Sequence, residues 1–330
     1  MFGLGMDIGY SNLKLAFGDL GEASPFATSM PAIAAPASTV ANLLSAEAEE
    51  DGIRVMVNGV QWVAGLPPAA VHRQARELHD AYAGSDVWMA LAGAGMLAAC
   101  EDRIPLLVAG LPVGHYGSES QREKLVGLLQ GTHVLTRKRT VVVERAMVIP
   151  QPIGAYLDAV EWFDDASLIL EGRILVLDPG FFSVDWALIE EGRYVAQASG
   201  SSLSAMSRLI ETASLSIATD HGGNPGVGRM EDAVRQGKET VRVYGETVEL
   251  KPYLDAAARA VATQALTELR ANLRGDSAAV DLVLLAGGGA ALYAEAAKVV
   301  FPKSRVAYAE DPVLANARGF WYRAAGVEGK

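Results

Sequence analysis

The sequence predicts an α/β fold of two related domains, each with a mixed β-sheet flanked by helices. Short apolar runs typical of strands alternate with helical patterns along the chain, as in sheets covered by helices on both faces. A strand, an acidic turn and a second strand open each half, which favours two related domains over one large sheet. The length of 330 residues also suits about two domains of roughly 100–200 residues.

The first half opens with a predicted β-hairpin. Two apolar runs, 2–8 and 13–17, flank Gly9-Tyr10-Ser11-Asn12, a composition that turns tightly and pairs antiparallel strands. The continuous apolar run 104–109 ends in Gly110-Leu111-Pro112 and is typical of a buried central strand. The remaining patterns predict strands at 54–58 and 140–146, and helices at 78–100, 118–130 and 153–163.

The second half repeats this opening. A strand at 174–177 leads into the turn Asp178-Pro179-Gly180, and strands at 184–189 and 194–198 follow. A further buried strand, 282–286, ends in Gly287-Gly288-Gly289. The helical patterns of this half lie at 203–218, 230–236, 254–273, 290–300 and 312–325.

The charge of the chain argues against direct binding of nucleic acid. Lys and Arg number 28 against 39 Asp and Glu, which gives a formal net charge of −11. Such a surface repels nucleic acid unless basic residues are locally concentrated, and the sequence has no basic run. A role near DNA would therefore need a second protein that contacts the DNA.

The other bulk features favour a soluble cytoplasmic protein. A single cysteine, Cys100, excludes an internal disulfide, favours a reducing compartment and, at the end of an apolar run, is predicted to be a core thiol. The five histidines lack the spacing of a zinc or iron site. The acidic Asp7 inside the first apolar stretch argues against a signal peptide, and the apolar runs are shorter than the ~20 residues that span a membrane.

The tip of the first hairpin is a candidate phosphate site. A tip of this kind directs several backbone N–H groups and a hydroxyl at one spot, and Gly9 allows close approach of the backbone. Asp7 could hold Mg²⁺ through water and Lys14 could neutralise a phosphate. The same residue types are common in ordinary turns, so this tip alone does not define a site. The candidate residues are Asp7, Gly9, Tyr10, Ser11, Asn12 and Lys14.

The second acidic turn strengthens the hypothesis. It again places an acid after four apolar strand residues, a glycine two positions later and a serine beyond. Two such tips could hold one polyphosphate, with Asp178 polarising the attacking water or binding a magnesium-bound water, and Asp185 supporting it as a second acid. The candidate phosphate-binding residues here are Gly180, Phe181, Phe182, Ser183 and Asp185.

The glycine cluster Gly287-Gly288-Gly289 is a third candidate. Between a buried strand and a helix, it would let the backbone lie flat against a planar or phosphorylated group near a helix N-terminus. A flexible turn is the alternative. The early glycines do not form a dinucleotide fingerprint, because a strand rather than a helix follows them, and no P-loop motif occurs.

The order of these motifs resembles the actin, sugar-kinase and heat-shock-chaperone ATPase superfamily. The series is Asp7-x-Gly9, Gln151 before a helix, Asp178-x-Gly180, the three glycines and the stretch 312–319. Within that superfamily the chain resembles the bacterial plasmid-segregation actins of the ParM (StbA) family over essentially its whole length. Gly110-Leu111-Pro112-Val113 and Asn316-Ala317-Arg318-Gly319 are the stretches that favour this branch over sugar kinases.

This resemblance implies an actin-like fold with a nucleotide cleft between the domains. One domain would comprise 1–162 and 312–330, with a subdomain at about 31–99, and the other 163–311, with a subdomain at about 219–274. The two acidic turns would be phosphate loops for ATP or GTP with Mg²⁺, and 287–289 would line the adenosine pocket. Gln151 would orient the hydrolytic water and act with Asp178. An amide cannot take the proton of that water, so slow hydrolysis is expected.

The resemblance also implies partners. ATP-bound subunits of that family stack head to tail into filaments, hydrolysis destabilises the filaments, and a DNA-binding adaptor links them to a plasmid. The sequence departs from the family pattern at Phe181-Phe182, where relatives carry small or hydroxyl residues. Two alternatives stay open: a non-polymerising, ATP-gated scaffold, and a small-molecule kinase of the same superfamily, for which the sequence offers no extra sugar-binding cluster.

Overall fold

The computed structural model describes residues 1–40, 52–66, 82–180, 183–202, 206–235, 238–273 and 279–328. The contacts divide the chain into two compact units. Unit 1 comprises Met1–Glu161 and Val313–Lys330, and unit 2 comprises Trp162–Pro312. Each unit contains a mixed β-sheet with helices packed against it, which confirms the predicted fold class.

The helices and strands alternate along the chain. Those before the second acidic turn are β1 Phe2–Ile8, β2 Asn12–Asp19, β3 Phe26–Pro31, β4 Ala34–Pro36, α1 Ala37–Val40, β5 Ile53–Val57, β6 Val60–Ala64, α2 Asp86–Ala98, β7 Arg103–Leu111, α3 Val113–Tyr116, α4 Glu119–Leu129, β8 Gly131–Val134, β9 Thr140–Pro150, α5 Gln151–Trp162 and α6 Ala166–Glu171. Those that follow are β10 Arg173–Pro179, β11 Val184–Glu190, β12 Arg193–Ser202, α7 Met206–His221, α8 Val227–Arg235, β13 Thr240–Val243, β14 Glu246–Glu249, α9 Lys251–Asn272, β15 Leu282–Leu285, α10 Ala290–Val300, β16 Arg305–Tyr308 and α11 Ala315–Glu328.

The main sheet of unit 1 has the strand order β3-β2-β1-β7-β9-β8. The predicted opening hairpin is confirmed: β1 and β2 pair antiparallel, and the Gly9 N–H donates to the Asn12 carbonyl over 3.0 Å. Strands β1, β7 and β9 run parallel. Because parallel strands end at the same edge of a sheet, the hairpin tip, the end of β7 and the start of α5 lie at one edge.

The sheet of unit 2 repeats this arrangement with the order β12-β11-β10-β15-β16. Its hairpin is β10–β11, and β10 runs parallel to β15. The repeated strand–turn–strand opening predicted from the sequence is therefore confirmed. The acidic turn after β10 and the glycines after β15 lie at the same edge of this sheet.

Helices cover the buried faces of both sheets. In unit 1, α11 packs so closely on β1 and α5 that side chains have no room at two glycines. A Cβ on Gly5 would lie 2.2 Å from the Ala317 carbonyl oxygen, and one on Gly319 would lie 1.7 Å from the Gly154 carbonyl oxygen. The C-terminal helix is thereby held against the strand that carries the first acid.

Several sequence predictions need correction. The helix predicted at 78–100 begins only at Asp86, because Ser85 caps it by accepting from the Trp88 N–H, and 78–81 lie outside the described residues. Cys100 is exposed, so the predicted core thiol is wrong: α2 ends at Ala98, and Cys100 adopts a left-handed φ of 60°. The last helix begins at Ala315, three residues later than predicted.

Two smaller sheets were not predicted as such. The order β4-β6-β5 forms one in unit 1, and the hairpin β13–β14 forms the other in unit 2, where it packs with α7, α8 and α9. Among the described residues, no helix is long and apolar enough to cross a membrane.

Candidate functional site

Asp7 is the centre of a buried polar cluster in unit 1. Its side chain is fully buried and accepts hydrogen bonds from three other elements. The Lys14 Nζ and Gln151 Nε2 atoms each lie 2.8 Å from it, and the Asn316 Nδ2 atom lies 3.4 Å away. The β1–β2 hairpin, the start of α5 and the first turn of α11 therefore meet at the Asp7 carboxylate.

The ion pair with Lys14 compensates the buried charge of Asp7. The two residues are opposite each other in the β1–β2 register, and the Lys14 side chain is only 13% exposed. A buried carboxylate without such a partner is strongly destabilising. Lys14 is therefore bound to Asp7 in this structure, and one ammonium, with three hydrogens, can also bind a further anion.

The orientation of the Gln151 side chain follows from its contact with Asp7. A carboxylate only accepts hydrogen bonds, so the Gln151 amide must present its NH₂ group to Asp7. Its Oε1 atom is then the group left to accept from another molecule. The adjacent Gly110 makes room for this side chain, because a Cβ there would lie 2.7 Å from the Gln151 Cγ. Gln151 is the first residue of α5, so this helix begins two residues earlier than the predicted start at 153.

The tip of the first hairpin is held by contacts from outside it. The Ala32 N–H donates to the Ser11 carbonyl over 2.9 Å. The Tyr10 ring stacks on Tyr82 with 4.7 Å between centroids, and the Tyr82 hydroxyl donates to the Gly9 carbonyl over 3.4 Å. Tyr82 was not predicted as part of the site, because nothing local in the sequence connects it to a turn more than seventy residues earlier.

The second acidic turn has its own hydrogen-bond network in unit 2. The Gly180 N–H donates to the carbonyls of Asp178 and Ser183, over 3.0 and 2.8 Å. Asp178 and Asp185 are opposite each other in the β10–β11 register, and both are buried. Asp185 accepts from the hydroxyls of Ser183, over 2.6 Å, and Ser201. Asp185 thus orients the Ser183 hydroxyl. The predicted site residues Phe181 and Phe182 lie outside the described residues.

The glycines after β15 pack against Asp178. Gly287 has a φ of 73°, and a Cβ there would lie 2.1 Å from the Asp178 Oδ1 atom. The Gly289 N–H donates to the Pro179 carbonyl over 3.0 Å. A Cβ on Gly288 would meet no atom within 4 Å. Helix α10 then begins without a side-chain cap, and its Ala290 and Leu292 N–H groups donate to the carbonyls of Gly287 and Gly289.

The predicted site residues thus form two sets. The set in unit 1 contains Asp7, Gly9, Tyr10, Ser11, Asn12, Lys14 and Gln151, and the set in unit 2 contains Asp178, Gly180, Ser183, Asp185, Gly287, Gly288 and Gly289. Asn316 was predicted only as part of a family motif, and its contact with Asp7 was not predicted. Within the described ranges, no group of three or more His, Cys, Asp or Glu side chains could hold a metal ion.

Two α/β units that each open with a buried acid at a hairpin tip are typical of actin-like proteins, and two family matches agree. Residues 5–154 match the N-terminal domain of actin like proteins. Residues 176–298 match the C-terminal domain of the archaeal MreB-like actin homologue. The chain belongs to the actin-like proteins, which confirms the resemblance read from the motifs.

Solved structures share this fold over the whole chain. The archaeal actin homolog Ta0583 is 20% identical, with a TM-score of 0.78 over 98% of this chain and 99% of that one. A 15-stranded ParM filament from Clostridium botulinum is 17% identical, with a TM-score of 0.72 over 99% of both chains. Bacillus thuringiensis ParM with ATP is 13% identical, with a TM-score of 0.65 over 100% of this chain and 99% of that one. Ta0583 was also solved in complex with ADP. No curated protein sequence matches this chain significantly.

Proposed function

We propose that this chain is an ATPase that binds one Mg-ATP through both acidic turns, hydrolyses it slowly, and assembles into filaments in the ATP state. The observation that carries this proposal is the duplicated hairpin, which ends in a buried acid and a glycine at the same edge of each sheet. Structural relatives described with ADP, with ATP and as a filament support it.

The two turns would bind the phosphates. In the first, the backbone at Tyr10, Ser11 and Asn12 and the Lys14 ammonium would contact phosphate oxygens, and Gly9 leaves space for their approach. In the second, Gly180 and the oriented Ser183 hydroxyl would do so, and Phe181 and Phe182 stay contacts predicted from the sequence. The glycines at 287–289 would line the adenosine, because a backbone without side chains can lie against a planar ring. GTP would use the same phosphate contacts.

The acids fit a magnesium ion held through water. A carboxylate offers about four lone pairs, and the three donors on Asp7 leave one free on Oδ1. Asp7 and Asp178 are buried, and Mg²⁺ usually keeps several of its waters, so each acid would contact a magnesium-bound water rather than the ion itself. When bound, Mg²⁺ neutralises charge on the phosphate oxygens.

Hydrolysis would depend on Gln151 and Asp178. The Gln151 Oε1 atom would accept from the attacking water and orient it, and Asp178 would polarise that water. Neither an amide nor an acidic carboxylate is a strong base at neutral pH, so we expect slow turnover. Asp185 would act indirectly, through Ser183 and the second turn.

The subunits would associate head to tail. Such a contact joins two different surfaces of the same protein, and it generates a filament when its repetition does not close into a ring. A formal charge of −11 favours an adaptor protein over direct contact with DNA, and a cytoplasmic role in plasmid segregation would use such an adaptor. A non-polymerising, ATP-gated scaffold and a small-molecule kinase remain the alternatives, and sedimentation with nucleotide separates both from a filament former.

Sedimentation with nucleotide tests the proposal. We expect the protein to pellet with Mg-ATP and to stay in the supernatant with Mg-ADP, while phosphate is released slowly. The variant Gln151→Ala should still pellet with ATP but release phosphate about 10²-fold more slowly, because it binds nucleotide without orienting water. Protein that stays in the supernatant with ATP at high concentration would contradict filament formation and leave the scaffold and the kinase. Absence of phosphate release from the wild type would contradict the ATPase.

A further inference from the structure

Asn316 is a buried amide in the first turn of α11, with 2% of its surface exposed. Its two polar atoms contact two different elements. The Nδ2 atom donates to the Asp7 Oδ2 atom over 3.4 Å, and the Oδ1 atom accepts from the Ala155 N–H over 3.2 Å. A side-chain amide carries both a hydrogen-bond donor and an acceptor without a charge, so it can bridge the Asp7 carboxylate and the Ala155 N–H.

Both contacts converge on Gln151. Ala155 lies four residues after Gln151, about one turn along α5, so Asn316 binds the backbone of the turn that carries Gln151. Asp7, the other partner of Asn316, binds the Gln151 amide directly. The side chain and the helical turn of Gln151 are therefore both connected to one residue of α11.

The backbones of α5 and α11 are packed too closely for this bridge to shift freely. A Cβ on Gly154 would lie 2.5 Å from the Asn316 carbonyl oxygen. One helical turn further on, Arg318 forms a two-bond ion pair with the buried Asp158, at 2.7 and 2.8 Å. This ion pair holds the same two helices together without contact to Asp7 in the described hydrogen bonds, so it offers a matched control.

We propose that Asn316 is a positioning residue for hydrolysis, which fixes Asp7 and α5 so that the Gln151 Oε1 atom points at the attacking water. This inference rests on the proposed ATPase function and adds a residue to it. Loss of the bridge would leave ATP binding intact, since the phosphate contacts come from the turns. It would slow hydrolysis, because a misplacement of about 1 Å can cost up to ~10²-fold in rate.

A double-mutant cycle in the full-length protein tests this role. Asn316→Ala should slow phosphate release about 10-fold or more with little change in ATP affinity. In a Gln151→Ala background the same change should have no further effect, because Asn316 acts through Gln151. Arg318→Lys should change the midpoint of thermal unfolding but not the rate of phosphate release per folded molecule.

A second variant separates positioning from packing. Asn316→Asp keeps the size of the side chain and the acceptor for the Ala155 N–H, but it replaces the donor to Asp7 by a like charge. We expect it to be as slow as Asn316→Ala. Wild-type rates in Asn316→Asp, or independent effects of the Asn316 and Gln151 changes, would overturn the proposal. A wild-type protein that releases no phosphate would contradict the ATPase function itself, and this role with it.

Discussion

Replacing Gly287 by alanine is expected to destabilise the protein by about 1–3 kcal/mol and to lower its affinity for ATP at least about tenfold. The φ of 73° at this position disfavours any residue with a Cβ, and that Cβ would lie 2.1 Å from the Asp178 Oδ1 atom. Either the turn or the Asp178 carboxylate must move. Thermal unfolding and titration with ATP measure the two effects.

The neighbouring glycine is a control for the stability effect. Gly288 is outside the left-handed region, and a Cβ there would meet no atom within 4 Å. Gly288→Ala should change the free energy of unfolding by less than about 0.5 kcal/mol. Equal stability of the two variants would show that Asp178 does not pack against Gly287 as described.

Replacing Asp178 by alanine is expected to leave ATP binding and assembly intact while phosphate release falls by about 10²–10⁴-fold. Asp178 is buried at the end of β10, and we propose that it polarises the attacking water. Its removal also relieves repulsion from Asp185, its opposite neighbour in the hairpin, so the fold should tolerate the change. Single-turnover release of labelled phosphate, with sedimentation alongside, measures both properties.

A surface acid in the same unit provides the control for that change. Asp164 forms an exposed ion pair with Arg305 at 3.0 Å, and exposed pairs contribute little to stability. Asp164→Ala should therefore release phosphate at the wild-type rate. Normal turnover in Asp178→Ala would remove Asp178 from the chemistry, whatever its effect on stability.

The sequence predicted the elements whose apolar runs are buried. Strands β1 and β10 are buried along almost their whole length, and their hairpins were placed correctly from these runs and the polar turns between them. Strands β3, β8 and β16 were missed, because edge strands are half exposed and show no continuous apolar run. Short-range pattern therefore sufficed for the central strands of the two main sheets, but among their edge strands it found only β12.

The contacts of the site could be predicted only in part. The acids and glycines follow buried strands and were found from local sequence. The bonds that join Asp7 to Gln151 and to Asn316 span 144 and 309 positions, and no local pattern encodes contacts so distant in sequence. The exposure of Cys100 was also missed, because it depends on where α2 ends rather than on the apolar run itself.

The proposal that both turns bind one nucleotide makes a direct prediction about binding stoichiometry. Gly9 and Gly180 are matched positions, one in each turn, and an added Cβ would lie 3.4 Å and 3.3 Å from the nearest atoms. Alanine at either position requires the neighbouring carbonyl oxygen to move by a few tenths of an ångström, which should not unfold the protein, while the added methyl group obstructs the approach of a phosphate.

Calorimetric titration of the wild type, Gly9→Ala and Gly180→Ala with Mg-ATP is the most direct test. We expect one ATP per wild-type chain, and affinity at least about tenfold lower in each variant, because the two turns would contact the same triphosphate. Two independent sites in the wild type, or full affinity in one of the two variants, would contradict a shared site.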